Sequence, residues 1–204
     1  MYQPNQYSSR LLQQAVESFN SLPGIGRRTA LKLALHILKQ PKENVSNFAN
    51  NILSFRNDVK RCKICHNISD TETCGICSDK NRDNSIICVV QDVQDVLAIE
   101  HTHQYRGLYH VLGGVISPVD GIGPSDLYID SLVERASSDD INEVIFAISS
   151  TTEGETTKFF LSKKLSQCNV KLSNIASGVS VGEELEYADE ITLGNSIVNR
   201  IRIN

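Results

Sequence analysis

The sequence predicts an α/β protein: a parallel-sheet domain preceded by a small helical domain and a four-cysteine metal module. Three observations predict it. From Ile86 onward, short apolar strands alternate with amphipathic helices, the pattern of a parallel sheet with helical crossovers. Ahead of them, three stretches with helical spacing surround a turn of glycine and proline. Between the two regions, Cys62, Cys65, Cys74 and Cys77 form two Cys-x-x-Cys pairs separated by eight residues.

The bulk properties fit that arrangement. With 204 residues, 40% hydrophobic and 22% charged, the chain can bury a core and has the balance of an ordinary globular protein. No apolar run is long enough to cross a bilayer, and the opening M-Y-Q-P-N-Q-Y-S-S-R lacks the apolar centre of a signal peptide. A reducing cytoplasm is therefore the expected compartment, where Cys88 and Cys168 read as thiols. The net charge of -4 conceals an asymmetry: residues 1–61 carry nine Lys and Arg against three acids, or +6, which leaves -10 for the remainder. A polyanion would be bound by the first third.

Taken in order, residues 9–19 place Leu11, Leu12, Ala15, Val16 and Phe19 on one stripe of a first helix. Leu22-Pro23-Gly24-Ile25-Gly26 reverses the chain. A second helix over 27–39 is apolar at Ala30, Leu31, Ala34, Leu35 and Leu38 and stops before Pro41. A third, over 45–55, puts Val45, Phe48, Ala49, Ile52 and Leu53 on one side.

Helix, L-P-G-I-G, helix resembles the helix-hairpin-helix of proteins that hold DNA without reading its sequence. The physics suits that role: glycines admit a phosphate close to the backbone, and the free N–H groups opening the second helix attract an anion. Gly24, Gly26, Arg27, Arg28 and Lys32 are the candidate DNA-binding residues, positioning a strand or duplex without specifying bases. A plain hairpin joining two helices, or a dimer contact, is the competing reading.

For the cysteines, two knuckles aiming four thiolates at one point supply the tetrahedral soft-ligand set of Zn²⁺, with no position open for catalysis. Two disulfides are the alternative and require an oxidising compartment. His66, directly after Cys65, is expected to face solvent. Lys60, Arg61 and Lys63 flank the site and are expected to balance the charge of about -2 on a zinc tetrathiolate.

Strands are expected over 86–90, 108–112, 143–148 and 170–175, with helices over 92–100, 125–136 and 156–165. All four strands would be parallel, and ligands in such sheets sit beyond the carboxyl ends of the strands. That rim carries Gln91 after the first strand and Glu153-Gly154-Glu155 after the third, expected as a loop. An acid in the first place and an acid-x-acid in the second is the arrangement of the Toprim fold of topoisomerases, primases and certain nucleases. Here the first place holds glutamine, whose neutral amide cannot move protons and is a poor magnesium ligand. Gln91, Glu153 and Glu155 thus stand as a partner-binding rim or a weak Mg²⁺ site.

In this order the pieces resemble the RecR family of recombination mediators across nearly the whole chain. The resemblance rests on L-P-G-I-G at 22–26, the four cysteines, D-V-L-A-I-E at 95–100 and Y-R-G-L-Y-H-V-L-G-G at 105–114. I-S-P-V-D-G-I-G-P at 116–124 and L-E-Y-A-D-E-I-T-L at 185–193 continue it. It implies a helix-hairpin-helix domain for DNA binding and assembly at 1–57, a four-cysteine zinc finger at 58–79, a Toprim domain at 80–176 and a C-terminal segment at 177–204. It further implies a non-enzymatic homotetrameric ring that binds DNA, works with RecO and often RecF, and helps load RecA at single-strand gaps. The chain departs from the family pattern at Gln91, at I-S-S-T-T-E-G-E-T-T over 148–157, and at Glu183, where a second glycine is usual.

Three smaller readings complete the chain. The stretch 116–124 is too rich in proline and glycine for a helix or strand, and reads either as a crossover loop or as a loop presented to a partner. His101, His103 and His110 read as structural. The tail 194–204 alternates isoleucine with polar residues and is expected to be an exposed strand seeking an edge, its own or a neighbour's. Competing with the DNA-clamping adaptor are a Toprim-type nuclease or primase-like enzyme and a zinc-stapled scaffold. No nucleophile stands beside a matched base, which weighs against the enzyme.

Overall fold

The computed structural model describes residues 7, 9–176, 178–179, 182 and 184–200. The chain divides into two compact units, Met1–Val59 and Lys60–Asn204.

In the first unit, α1 (Arg10–Asn20), α2 (Arg27–Leu38) and α3 (Lys42–Asp58) follow one another. Ser9 caps α1 by accepting from the Leu12 amide, and α3 begins directly after Pro41, three residues earlier than its apolar pattern begins. The small core is Val16 of α1 against Ala30 and Ala34 of α2, with Leu12, Phe19 and Ile25 around them. Two alanines on α2 let the helices approach closely. The expected apolar stripes are only partly covered: Leu11 and Leu38 are 78% exposed, and Phe48, Ile52 and Leu53 on α3 are each more than half exposed. Three short helices enclose too little volume to bury a stripe on each.

The second unit opens with the antiparallel ribbon β1 (Lys60–Arg61) and β2 (Ile68–Ser69), then the single turn α4 (Gly75–Ser78). Next come β3 (Asp83–Val90), α5 (Val93–His101), β4 (Gly107–Val111), α6 (Ile129–Ala136), β5 (Glu143–Ala147), α7 (Thr152–Leu165), β6 (Lys171–Asn174) and α8 (Glu190–Val198). The sheet is ordered β4-β3-β5-β6 and wholly parallel, as the apolar runs predict. Alternation along β3 divides the core. Ile87 and Val89 meet Leu132, Leu161 and Leu165 of α6 and α7, while Cys88 and Val90 meet Val96 of α5 and Tyr109. Burial pushes the Cys88 thiol up to about 12, so it remains protonated.

Three expectations change, and the loop at 116–124 gains detail. The helix over 125–136 is split: Pro124–Asp126 forms a 3₁₀ turn, and α6 starts only at Ile129. The stretch 116–124 is a loop, closed where Ser117 and Ile122 pair antiparallel and Ser117 Oγ donates to Asp120. Glu153, Gly154 and Glu155 lie in the first turn of α7, not in a loop, because Thr151 caps the helix by accepting from the Gly154 amide at 3.1 Å. The expected terminal strand is helical as far as Val198: Asp189 accepts from the Thr192 amide at 2.8 Å and nucleates α8. Residues 201–204 of that stretch lie outside the described residues.

β3 lies between β4 on one side and β5 on the other, so the strand order reverses beside its carboxyl end. At that point Ser149 Oγ donates to Gln91 Oε1 at 3.0 Å and ties β5 to β3.

Candidate functional site

The hairpin turn follows from its sequence. Ile25 N donates to Leu22 O at 3.2 Å, with Pro23 and Gly24 between them. Gly24 has φ +77°, the value a type II turn requires at this place and one that a side chain resists. Gly26 then caps α2 without a side chain, so the opening amides of that helix have no side-chain acceptor. A Cβ at Gly24 or Gly26 would meet nothing within 4 Å, and that surface is open to an approaching group. Arg27, Arg28 and Lys32 are all exposed. Arg28 and Lys32, four apart, share a face, whereas Arg27 lies about 100° round the helix. The helix start thus leaves amides without a side-chain acceptor beside two exposed cations.

The four cysteines meet as their spacing predicts. Their sulfurs all lie within 4.8 Å of one another, and three of the four residues are buried. Cys65 and Cys74 sulfurs are 3.5 Å apart, and the Cys74 amide donates to Cys62 Sγ at 3.3 Å. A zinc tetrathiolate with Zn–S near 2.3 Å has sulfur–sulfur edges of about 3.8 Å, close to this cage. The chemistry of the donors agrees. A hydrogen bond from Cys77 brings the Cys65 thiol down to about 5 despite burial. Burial and the negative charge on Cys65 push Cys74 up to about 11, and the hydrogen bond to Cys65, with burial, raises Cys77 as well. Four thiolates gathered this closely demand a divalent cation at their centre. Cys62, Cys65, Cys74 and Cys77 hold one structural zinc, which supplies a fixed tetrahedral crosslink and no reactive position.

The knuckle is seated on the sheet. Val111 N of the edge strand β4 donates to Cys65 O at 2.8 Å, so the knuckle caps that edge. His66, expected to face solvent, instead turns inward with φ +61° and stacks on Tyr128 with ring centroids 3.8 Å apart. Its Nε2 lies 2.9 Å from Ser131 Oγ. His110 is buried with Nε2 2.7 Å from Tyr128 O. On its other side, Arg135 Nη1 lies 3.0 Å from Nδ1 and donates to Tyr109 O at 2.9 Å. Burial and the Arg135 charge push His110 down to about 3, so its ring is neutral, and hold His66 below its ordinary value. Nothing in the cysteine spacing points to Tyr128, Ser131 or Arg135, since they join the site only through the fold.

Two of the three expected counter-cations have partners. Lys63 pairs with Glu72 at 2.8 Å in solvent, and Arg61 donates to His66 O at 3.1 Å. A second buried network ties α5 to the sheet: Arg82 donates to Glu100 and to Gly107 O, and Tyr109 Oη donates to Glu100 at 2.7 Å.

At the sheet rim, Gln91 and Glu155 border one open groove at the strand-order reversal, together with Asp95 and Lys158. Glu153 and Glu155 stand two positions apart on α7, which places them about 200° apart round the helix. Glu155 pairs with Lys158. Gly154 between them is forced by packing, for a Cβ there would lie 1.9 Å from Ser149 O. Among the described residues, the four cysteines are the only group of three or more His, Cys, Asp or Glu gathered at metal-binding distances.

A glycine-turned helical hairpin, a closed four-thiolate knuckle and a parallel sheet whose strand order reverses at Gln91 define a zinc-bearing protein of the Toprim class. Family models for RecR match in sequence order: the helix-hairpin-helix at 12–55, the four-cysteine zinc finger domain at 59–79, and the C-terminal model at 178–201; the Toprim domain matches at 85–176. Proteins named Recombination protein RecR are similar over almost their full length. The one from Bacteroides thetaiotaomicron is 62% identical over 195 residues, 96% of this chain and 95% of the relative. That from Porphyromonas gingivalis is 59% identical over 194 residues, 95% and 94% of the two chains, and that from Flavobacterium psychrophilum 57% over 196, 96% and 95%. The chain belongs to the RecR family of recombination proteins.

Proposed function

We propose that this protein is a non-enzymatic mediator of recombinational DNA repair. It holds DNA without regard to sequence, closes as a homotetrameric ring or clamp, and acts with RecO and RecF to promote RecA loading at single-strand gaps. The observation that carries this reading is the hairpin, where Gly24 and Gly26 leave an open approach to the start of α2 and Arg28 and Lys32 line one face beside it. In this reading residues 1–57 bind DNA and assemble, 58–79 form the zinc finger, 80–176 the Toprim domain, and 177–204 pack on their own or a neighbouring subunit.

Assembly is supported by the apolar side of α3, where Phe48, Ile52, Leu53 and Phe55 are 51–62% exposed in the single chain. Absence of catalysis is supported at Gln91, whose amide oxygen accepts from Ser149 and offers no titrating group at the strand-order reversal. Gln91, Glu153 and Glu155 serve there as a contact rim for a protein partner rather than as a magnesium site. The protein works in the cytoplasm; among the described residues no helix is long and apolar enough to cross a membrane.

Solution mass, measured with and without gapped DNA, tests the reading. The expected result is four chains per particle and a further increase with DNA. A monomer whose mass DNA leaves unchanged refutes it.

A further inference from the structure

Arg135 poses a problem of charge. Its guanidinium is half-buried in the last turn of α6, spends Nη1 on Tyr109 O and the neutral His110 ring, and among the described residues makes no ion pair with a carboxylate. Withdrawing a cation from water without an anion is costly. The chain of contacts leads from Arg135 through His110, whose ring meets His66 edge-on at 5.2 Å, to the peptide of Cys65, which also receives the Val111 amide. That path ends at the cysteine cage, which is doubly negative when it holds zinc.

We propose that Arg135 is the internal counter-cation of the zinc tetrathiolate, a positioning residue that stabilises the doubly negative cluster from the α6 side. Burial lowers the Arg135 pKa, and negative charge on Cys77, Cys65 and Cys62 opposes that shift. Zinc and α6 then support each other. The metal keeps the sulfurs ionised and gives Arg135 its anion, while Arg135 lowers the energy of those sulfurs and strengthens their hold on the metal. Of the cations near the cysteines in sequence, Lys63 is paired with Glu72 in solvent. The inference rests on the four cysteines holding zinc, and failure of that premise shows separately, as unaltered protein that carries no metal.

The test compares full-length protein with Arg135→Met, which keeps the length and removes the charge, and Arg135→Lys, which keeps the charge and changes the hydrogen bonds. Zinc affinity is measured by competition with a chromophoric chelator. A second sample of each is loaded with cobalt(II), and the sulfur-to-metal charge-transfer band is recorded. Arg135→Met should bind zinc about 10- to 100-fold more weakly, the usual effect of removing an outer partner of a metal site. Its band should move to lower energy, since unscreened sulfurs give up an electron more readily. Arg135→Lys should stay near the unaltered protein in both respects. Zinc affinity in Arg135→Met within about twofold of the original, or an unmoved band, overturns the proposal. So does Arg135→Lys losing zinc as fully as Arg135→Met. If Arg135→Met does not fold, Arg135→Lys decides: zinc and band retained support the charge role, and zinc lost refutes it.

Discussion

Replacing Arg28 and Lys32 together by glutamine separates DNA binding at the hairpin from every other role of the first unit. Both side chains are exposed, and neither takes part in the Val16, Ala30 and Ala34 core, so the helix and its packing should survive. Glutamine also matches lysine and arginine closely in helix propensity. On the proposed function, the two cations, sharing one face at four-residue spacing, would contact two phosphates, and each contact contributes about 0.9 to the log–log slope of affinity on salt. Losing both flattens the slope by about 1.8. Between 50 and 200 mM salt, the unaltered protein should therefore lose about twelvefold more affinity than the variant. Fluorescence anisotropy with a labelled gapped duplex, titrated at four or five salt concentrations, reads this directly. Thermal unfolding in parallel should show no shift. An unchanged slope with unchanged affinity would place the DNA site elsewhere and refute the argument from the glycine turn.

Two further expectations follow from buried contacts in the second unit. Gly154→Ala drives a methyl group to 1.9 Å from Ser149 O, so α7 must move off the end of β5; overpacking of this kind costs about 1–3 kcal/mol, which denaturant unfolding will register. A loss under about 0.5 kcal/mol, read in the same assay, would mean that the α7 start is free to shift. For Glu100, burial raises the carboxyl but hydrogen bonds from Arg82 and Tyr109 outweigh it, and its pKa stands below the ordinary glutamate value. A depressed folded-state pKa contributes stability that is present above the unfolded value and is lost as pH falls through the folded one. Stability should therefore decline on acidification from about pH 5 downward. Glu100→Gln should flatten that decline, and an identical pH profile would show that the ion pair with Arg82 contributes nothing.

The sequence is most legible where chemistry is local. Pro23-Gly24 dictates its own turn, two Cys-x-x-Cys knuckles dictate their own cage, and the apolar run Ile86–Val90 can only be a buried strand. Reading fails where distant partners decide. His66 looks like a surface residue beside Cys65, yet Tyr128 arrives from another element and stacks on it. Arg135 lies on an ordinary amphipathic helix, and only the fold brings it against His110 and the β4 edge. The start of α7 is a closer case. I-S-S-T-T has the polarity of a loop, and only the bond from the Gly154 amide to Thr151 Oγ1 resolves it. The tail misleads because its alternation is concentrated beyond Val198, whereas Asp189 and the residues after it hold the helical cap.

The bond from the Val111 amide to Cys65 O gives the metal a protective duty. β4 is the outermost strand on its side, and the knuckle sits where a foreign strand would otherwise add. Zinc, by holding the knuckle rigid, keeps that flank sealed. A chain that has lost its ion bares a backbone donor beside an apolar sheet, the template on which misfolded proteins aggregate. Zinc supply then bears on how long the protein remains dispersed in a crowded cell, quite apart from its handling of DNA.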